Sequence, residues 1–273
     1  MRAVRLTGWR KIASAVWGNP GDPQIYGQVD VDASGVLGYM EAARGAGRRV
    51  TATHLVGKAL AHAIAAAPDL NVVIRGSRAF PRSSVDIFFI AAVDGGRDLS
   101  GVKVTRVDER PVIDLADEVH RRATLMREGE DPDFARTKGL MERLPRPLLR
   151  ASLALTAWIA GGHGRGIRAL SVRPSPFGSA MVTSLGMFGV PMGFAPISWL
   201  YRVPILVMVG EVTQRPVAVA GQVEVRPILP LTATIDHRYA DGWHISQLLT
   251  AFRAYLADPA AFEPPLPGRG ATG

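Results

Sequence analysis

The stretch from Ile235 to Gly242, which reads Ile-Asp-His-Arg-Tyr-Ala-Asp-Gly, sets a histidine and an aspartate four residues apart and closes on a glycine. An apolar run, Leu229 to Ile235, precedes the histidine and is typical of a buried strand. Downstream, apolar residues recur at helical spacing until Asp258-Pro259. His237 is therefore predicted to lie where a strand passes into a helix. A lone histidine is more often structural than catalytic, so its position alone assigns no role.

A second motif lies upstream, from Val182 to Gly189, and reads Val-Thr-Ser-Leu-Gly-Met-Phe-Gly. It follows the pattern of a short strand, Ala180 to Ser184, that ends at two hydroxyl side chains. The two motifs together, in this order, resemble signatures of the acyltransferase (E2) catalytic domains of 2-oxo acid dehydrogenase complexes. Those signatures read Ser/Thr-Asn-Leu-Gly-Met-Phe-Gly and Asp-His-Arg-x-x-Asp-Gly, and the latter shares its His-x-x-x-Asp-Gly with chloramphenicol acetyltransferase. Ser184 departs from the pattern because it occupies the asparagine position.

This resemblance runs from about Leu6 to Pro259 and implies an α/β fold of the chloramphenicol acetyltransferase type. The expected architecture is an α+β two-layer sandwich with a mixed central sheet and helices packed on one side. One catalytic domain is expected over residues 1–262, followed by a flexible tail at 263–273. The family pattern is weak between residues 129 and 174, which we interpret as a helical insertion. The resemblance also implies a homotrimer and leaves open a higher assembly of trimers.

The resemblance assigns roles to five residues. Acyl transfer from a thioester to a thiol needs a base that removes the thiol proton and a donor that stabilises the tetrahedral oxyanion. His237 matches the family's general base, Thr183 its oxyanion donor, and Ser184 is the back-up donor. Asp241 is either the third member of a triad or, as the family favours, a structural partner of Arg10 that braces the loop.

Three further implications concern the environment of these residues. In the family the histidine and the hydroxyl face each other across a subunit boundary, so that a monomer has no complete site. Gly242 closes the motif and is expected to have a structural role. The expected cofactor is coenzyme A or acyl-CoA as a substrate, whose contacts the sequence does not place.

Composition narrows the remaining possibilities. The chain has 273 residues, of which 47% are hydrophobic and 21% charged, as in a globular protein. It contains no cysteine, which excludes disulfides, thiolate metal sites and a cysteine nucleophile and fits a cytoplasmic location. The net charge of +8 fits either an ordinary soluble surface or attraction of a phosphate-bearing ligand such as CoA. No metal site is predicted, and no motif supports nucleic-acid binding.

Several segments outside the motifs constrain partners. The apolar run from Leu148 to Ala160 carries Arg150 and is shorter than the roughly 20 residues that span a bilayer, so we expect a core helix or an oligomer contact. No signal peptide, lipoyl-type domain or swinging linker is recognised. The lipoyl group would then come from another chain, or the acceptor is a different thiol, a hydroxyl or an amine. We therefore expect a stand-alone CoA-dependent acyltransferase. The alternative is a non-catalytic oligomeric scaffold of the same fold.

The other predicted elements follow from periodicity and turn residues. Thr53 is a candidate cap for a helix that runs to Ala67, and His54 and His62 in that helix are interpreted as ordinary helix residues. The remaining predictions are helices over 6–16 and 114–128, strands over 25–32, 85–93 and 203–209, and a hairpin over 216–225.

Overall fold

The computed structural model describes residues 22–75, 77–93, 98–128, 145–167 and 172–266. The predicted first helix, with Arg10, lies outside these ranges. The strands are β1 (Gln24–Asp32), β2 (Val72–Arg75), β3 (Arg78–Pro81), β4 (Ile87–Val93), β5 (Asp98–Val104), β6 (Ala180–Ser184), β7 (Ile205–Val209), β8 (Thr213–Val219) and β9 (Gln222–Asp236). The helices are α1 (Ser34–Gly45), α2 (Ala52–Ala66), α3 (Val112–Arg127), α4 (Arg146–Thr156) and α5 (Gly242–Ala257). A π-helical turn, Ala157–Gly162, continues α4.

The main sheet has the order β1-β9-β7-β6-β4-β5, and β8 pairs with the first half of the long strand β9. The pairs β4–β6 and β6–β7 are parallel, whereas the other pairs are antiparallel. Strands β2 and β3 form a separate hairpin. The predicted mixed sheet is therefore confirmed, and the predicted hairpin is the β8–β9 pair, with its turn at Ala220-Gly221.

Alternation along the strands divides the apolar side chains between two faces. Val182 and Phe89 belong to the large core that the sheet shares with α1, α2, α3 and α5. Their neighbours point the other way: Met181 forms a small cluster with Val203 and Leu206, against which Phe88 packs. One face is thus covered by four helices, and we call it the helix face. The other, which we call the open face, is covered by loops.

Helix α2 runs through the middle of the core. Its N-cap is Thr51 rather than the predicted Thr53: the Thr51 hydroxyl accepts from the His54 backbone N–H, and the His54 Nδ1 accepts from the Thr51 N–H. This reciprocal pair is a capping box in which a histidine takes the usual glutamate position. Burial lowers the pKa of His54 to about 4, with His120 as a further cause, so the imidazole is neutral.

A buried polar cluster joins α2 to the last described segment. The Lys58 ammonium donates to the carbonyls of Val107 (2.9 Å) and Asp108 (2.8 Å) and lies 3.9 Å from a carboxylate oxygen of Glu263. That carboxylate also accepts from the hydroxyl of Tyr255. The predicted flexible tail began at Glu263, but this side chain is buried and bonded, so residue 263 belongs to the folded body.

The apolar run from Leu148 to Ala160 is helical, as predicted, but much of its surface is exposed, so it is not a core helix throughout. Leu148, Leu155 and Trp158 are 59%, 56% and 56% exposed, whereas Ala157 and Ala160 at its end are buried. Among the described residues no helix is long and apolar enough to cross a membrane.

Candidate active site

His237 directly follows β9, where the chain turns away from the sheet before α5. Two backbone hydrogen bonds fix this turn: the Asp236 N–H donates to the Pro204 carbonyl and the His237 N–H to the Pro23 carbonyl, both at 2.9 Å. The His237 side chain is exposed. Within the described ranges no hydrogen bond reaches its imidazole. The backbone therefore fixes the position of the residue, and the imidazole is open to a ligand.

The residues on either side of His237 form an ion pair. The Arg238 guanidinium donates to both carboxylate oxygens of buried Asp236, with Nε–Oδ1 and Nη2–Oδ2 distances of 2.9 and 2.5 Å. This bidentate hydrogen bond raises the pKa of Arg238. The pair clamps the turn across the histidine, a role that the sequence analysis did not assign.

Two more side chains, Tyr239 and Arg82, connect the β2–β3 hairpin to the turn and to the loop before β7. Neither role was predicted from the sequence. The Tyr239 hydroxyl accepts from the Ile74 N–H at 3.3 Å. Arg82 donates to the carbonyls of Val72 (3.3 Å) and Arg202 (2.8 Å), which joins the hairpin to the loop before β7. Burial lowers the pKa of Arg82. Neither role has a local sequence signal, because each partner is distant along the chain.

Asp241 is the N-cap of α5. Its carboxylate accepts from the Trp243 N–H (3.0 Å) and the His244 N–H (3.2 Å) and lies 2.7 Å from the His244 Nδ1. The backbone hydrogen bond from His244 is the main cause that lowers the pKa of Asp241. Among the described residues these are its partners, and the alternative partner Arg10 lies outside them. A side chain at Gly242 would meet none of the described residues within 4 Å, so packing against them does not require glycine there.

Thr183 and Ser184 end β6, where both side chains are partly buried. Alternation places Thr183 on the open face, with Met181, and Ser184 on the helix face, with Val182. The loop that follows approaches Gly210 so closely that a Cβ at Gly186 would lie 2.5 Å from its carbonyl oxygen. This contact therefore requires glycine at position 186, the first of the two glycines in the second motif.

The sheet register shows that the two motifs lie at opposite ends of the strands. Thr183 pairs with Met208 near the end of β7. By contrast, β9 runs antiparallel to β7 and delivers His237 beside Pro204, just before β7 begins. About five residues of strand separate the two levels, or about 17 Å at 3.3 Å per residue. One chain therefore does not bring the histidine and the hydroxyl together.

A cavity of about 440 Å³ opens beside the His237 turn. Its lining combines two arginines, Arg202 and Arg238, and two aspartates, Asp22 and Asp236, with the aromatic rings of Trp199 and Tyr239. No group of three or more metal-binding side chains occurs in the part of the chain that the structure describes. The cavity fits an organic ligand with polar groups.

Comparisons with known proteins identify the family to which the chain belongs. The profile of the 2-oxoacid dehydrogenases acyltransferase (catalytic domain) family matches residues 2–132 and 171–263. The dihydrolipoyllysine-residue acetyltransferase component of the acetoin cleaving system of Bacillus subtilis (strain 168) is 26% identical over 215 residues, which is 79% of this chain and 43% of that protein. The chain thus spans less than half the length of this relative.

Two solved structures share the fold. A probable dihydrolipoamide acetyltransferase from Listeria monocytogenes 4b F2365 matches with a TM-score of 0.65 and 20% identity, over 100% of this chain and 98% of that one. The cubic core of the pyruvate dehydrogenase multienzyme complex matches with a TM-score of 0.65 and 19% identity, over 96% and 93%. The predicted resemblance is confirmed, and the chain belongs to the family of 2-oxoacid dehydrogenase acyltransferase catalytic domains.

Proposed function

We propose that this chain is a CoA-dependent acyltransferase that moves an acyl group between a CoA thioester and an acceptor thiol such as dihydrolipoamide. Its sites would form between the subunits of a cytoplasmic homotrimer. The observation that carries this proposal is the sheet register, because His237 and Thr183 lie at opposite ends of β7 in one chain. A cyclic trimer can supply the histidine of one subunit and the hydroxyl of the next.

The chemistry follows from these two groups. In our proposal the His237 imidazole takes the proton of the acceptor thiol, since only the thiolate attacks a thioester readily. A new carbon–sulfur bond forms, and the negative charge moves to the carbonyl oxygen, towards which Thr183 donates a hydrogen bond. When the tetrahedral intermediate collapses, the carbon–sulfur bond to CoA breaks. The proton held by His237 then passes to the departing CoA thiolate.

The other residues of the two motifs would position this pair. The Asp236–Arg238 ion pair and the Asp241 cap hold the backbone on both sides of His237. We assign Asp241 to this bracing role, with Arg10 as a further partner, because its carboxylate already serves the start of α5. Ser184 is the less suitable oxyanion donor because strand alternation directs it to the helix face.

Exposed apolar side chains support an interface near the Thr183 motif. Met187 and Phe188, which belong to this motif, are 66% and 50% exposed, and Phe194 packs edge to face on Tyr26 at 5.5 Å. Exposed apolar groups of this kind mark contact sites. A higher assembly of such trimers is compatible with the same surface. The acceptor lipoyl group would come from another protein.

The first test measures acyl transfer from a panel of acyl-CoA donors to dihydrolipoamide. His237→Ala should lower turnover by about 10²- to 10⁴-fold, the usual contribution of a positioned general base. Its melting temperature should not change, because the side chain is exposed. His120→Ala, which removes an exposed histidine on α3, is the matched control and should retain turnover. Wild-type turnover in the His237 variant, or a wild-type chain that binds no CoA, would refute the proposal.

The second test addresses the interface. His237→Ala and Thr183→Ala chains, each nearly inactive alone, are mixed, dissociated and reassembled. A mixed trimer then contains one site with both wild-type groups, so about a quarter of all sites should regain activity at equal mixing. Absence of any regained activity in verified mixed trimers would show that both groups act within one chain.

A further inference from the structure

Helix α4 and its π-helical turn lie between the two parts of the chain that the family profile matches. The turn anchors the helix to the body. Gly161 and Gly162 are buried there, and a Cβ at Gly161 would lie 3.5 Å from the side chain of Arg202. The preceding turns of α4 project from this anchor and leave much of the helix surface in solvent.

The exposed surface of α4 carries an apolar stripe. Leu148, Leu155 and Trp158 are all more than half exposed. Their spacings of seven and three residues place them on one side of the helix. At 1.5 Å per residue the stripe is about 15 Å long. Exposed apolar groups of this extent on one element indicate a contact with another apolar phase.

The charged residues near the stripe in the sequence have one sign. Between Arg143 and Gly210 the sequence contains no aspartate or glutamate. The same stretch contains seven arginines: Arg143, Arg146, Arg150, Arg165, Arg168, Arg173 and Arg202. Three of these lie at exposed positions, namely Arg150, Arg165 and Arg173. A surface that binds here must therefore combine negative charge with an apolar layer.

An anionic lipid surface fits these properties better than a protein partner. Protein interfaces have a polar rim with directional hydrogen bonds. The segment 145–162 contains no asparagine, glutamine, aspartate, glutamate or lysine, and the Ser152 hydroxyl already donates to the Leu149 carbonyl at 2.8 Å. Leucine, tryptophan and arginine are the residues with which an amphipathic helix lies in the interface of an anionic bilayer, and such a bilayer requires no directional bonds.

We propose that α4 is a membrane-surface helix that docks this chain on anionic lipid through Leu148, Leu155 and Trp158. The stripe enters the boundary between headgroups and acyl chains, while the neighbouring arginines contact the phosphates. Since α4 has eleven residues, it lies along the surface and does not cross it. This proposal does not depend on the acyl transfer reaction.

The absence of cysteine allows a direct test, because one introduced cysteine is the only labelling site. Leu155→Cys carries an environment-sensitive fluorophore, and the whole chain is mixed with phosphatidylcholine vesicles with or without phosphatidylglycerol. The emission should shift to the blue only with the anionic vesicles. The same label on Val223→Cys, which is 78% exposed on the β8–β9 hairpin, is the matched control and should not respond.

Sedimentation of the unlabelled chain with vesicles completes the test. The double variant Leu148→Ser/Leu155→Ser should bind anionic vesicles at least about tenfold more weakly, a loss of about 1.4 kcal/mol. The variant Val223→Ser/Val225→Ser should bind as the wild type does. Both replace exposed side chains, so circular dichroism should show intact folding.

Four outcomes would overturn the proposal. The first is no binding of the wild-type chain to anionic vesicles, and the second is equal binding to neutral ones. The third is a change of oligomeric mass in Leu148→Ser/Leu155→Ser without vesicles, which would make the stripe a contact between copies. The fourth is an emission shift with polyglutamate as large as that with vesicles, which would assign the face to acidic polypeptides.

Discussion

The two faces of the central sheet differ in what their side chains can do. On the helix face, four helices bury residues such as Leu60, Ile87 and Val182 completely, and His54 and Lys58 enter this core with hydrogen-bond partners. On the open face, to which Thr183 points, the buried cluster is small, and the cavity beside the His237 turn is lined by the half-exposed Trp199. Stability therefore resides mainly on one face, and the proposed chemistry on the other.

This division implies that substitutions on the two faces should have separable effects. A change on the helix face should alter the free energy of unfolding and leave turnover of the folded enzyme unchanged. A change on the open face should alter turnover and leave unfolding unchanged.

The largest effect is expected for Lys58→Met on the helix face. The variant leaves the carbonyls of Val107 and Asp108 without their donor and removes the cation near Glu263. Loss of one partner from a buried charged cluster costs about 3–5 kcal/mol. Urea denaturation should show a loss of this size, while turnover per folded molecule remains that of the wild type.

The matched control for Lys58→Met is Arg48→Met. Arg48 lies 3.1 Å from Asp117 in an ion pair at the surface, where such pairs contribute about 0–1 kcal/mol. If both variants lose the same free energy of unfolding, the buried cluster stabilises the fold no more than a surface ion pair does. The contrast between the faces is then weaker than proposed.

The next largest effect is expected for Thr183→Ala on the open face. Loss of one oxyanion donor lowers turnover by about 10²- to 10³-fold. The affinity for CoA and the melting temperature should change little. Ser184→Ala is the internal control, since it differs by one position and points to the other face. If Ser184→Ala lowers turnover more than Thr183→Ala, the assignment of the two hydroxyls is reversed.

How much of this could be predicted from the sequence depends on how local each signal is. The strand before His237 and the helix after it follow from apolar periodicity, and both motifs lie where that periodicity places them. The capping role of Asp241 could also have been read from its position before an apolar helical pattern. Helix α1, strand β5 and the hairpin β2–β3 were not predicted, because their short patterns are weak without the partners that cover them.

The site as a whole could not be derived from one chain's periodicity. The register that separates His237 from Thr183 depends on how β9 pairs with β7, which a sequence pattern does not show. The ties from Arg82 to Arg202 and from Tyr239 to Ile74 join segments far apart along the chain. The resemblance thus predicted the residues of the candidate site and the subunit boundary between them, and the register of the sheet supports that boundary.

The smallest of the three effects concerns pH and the neutral histidine in the core. The pKa of His54 is about 4 in the folded chain, against an ordinary value of 6.5, because burial disfavours the charged imidazole. The unfolded chain therefore binds a proton at a higher pH than the folded chain does. The stabilisation from neutral His54 is complete above pH 6.5 and is lost as the pH falls from 6.5 towards 4, by roughly 3 kcal/mol in total.

His54→Gln removes this titration but keeps the capping box, since glutamine can accept from the Thr51 N–H. The free energy of unfolding should therefore fall less steeply with acid in this variant than in the wild type. His62→Gln, at a less buried position of the same helix, should change the slope less. Parallel curves for wild type and His54→Gln between pH 4 and 6.5 would show that the core histidine is not held neutral by the helix face.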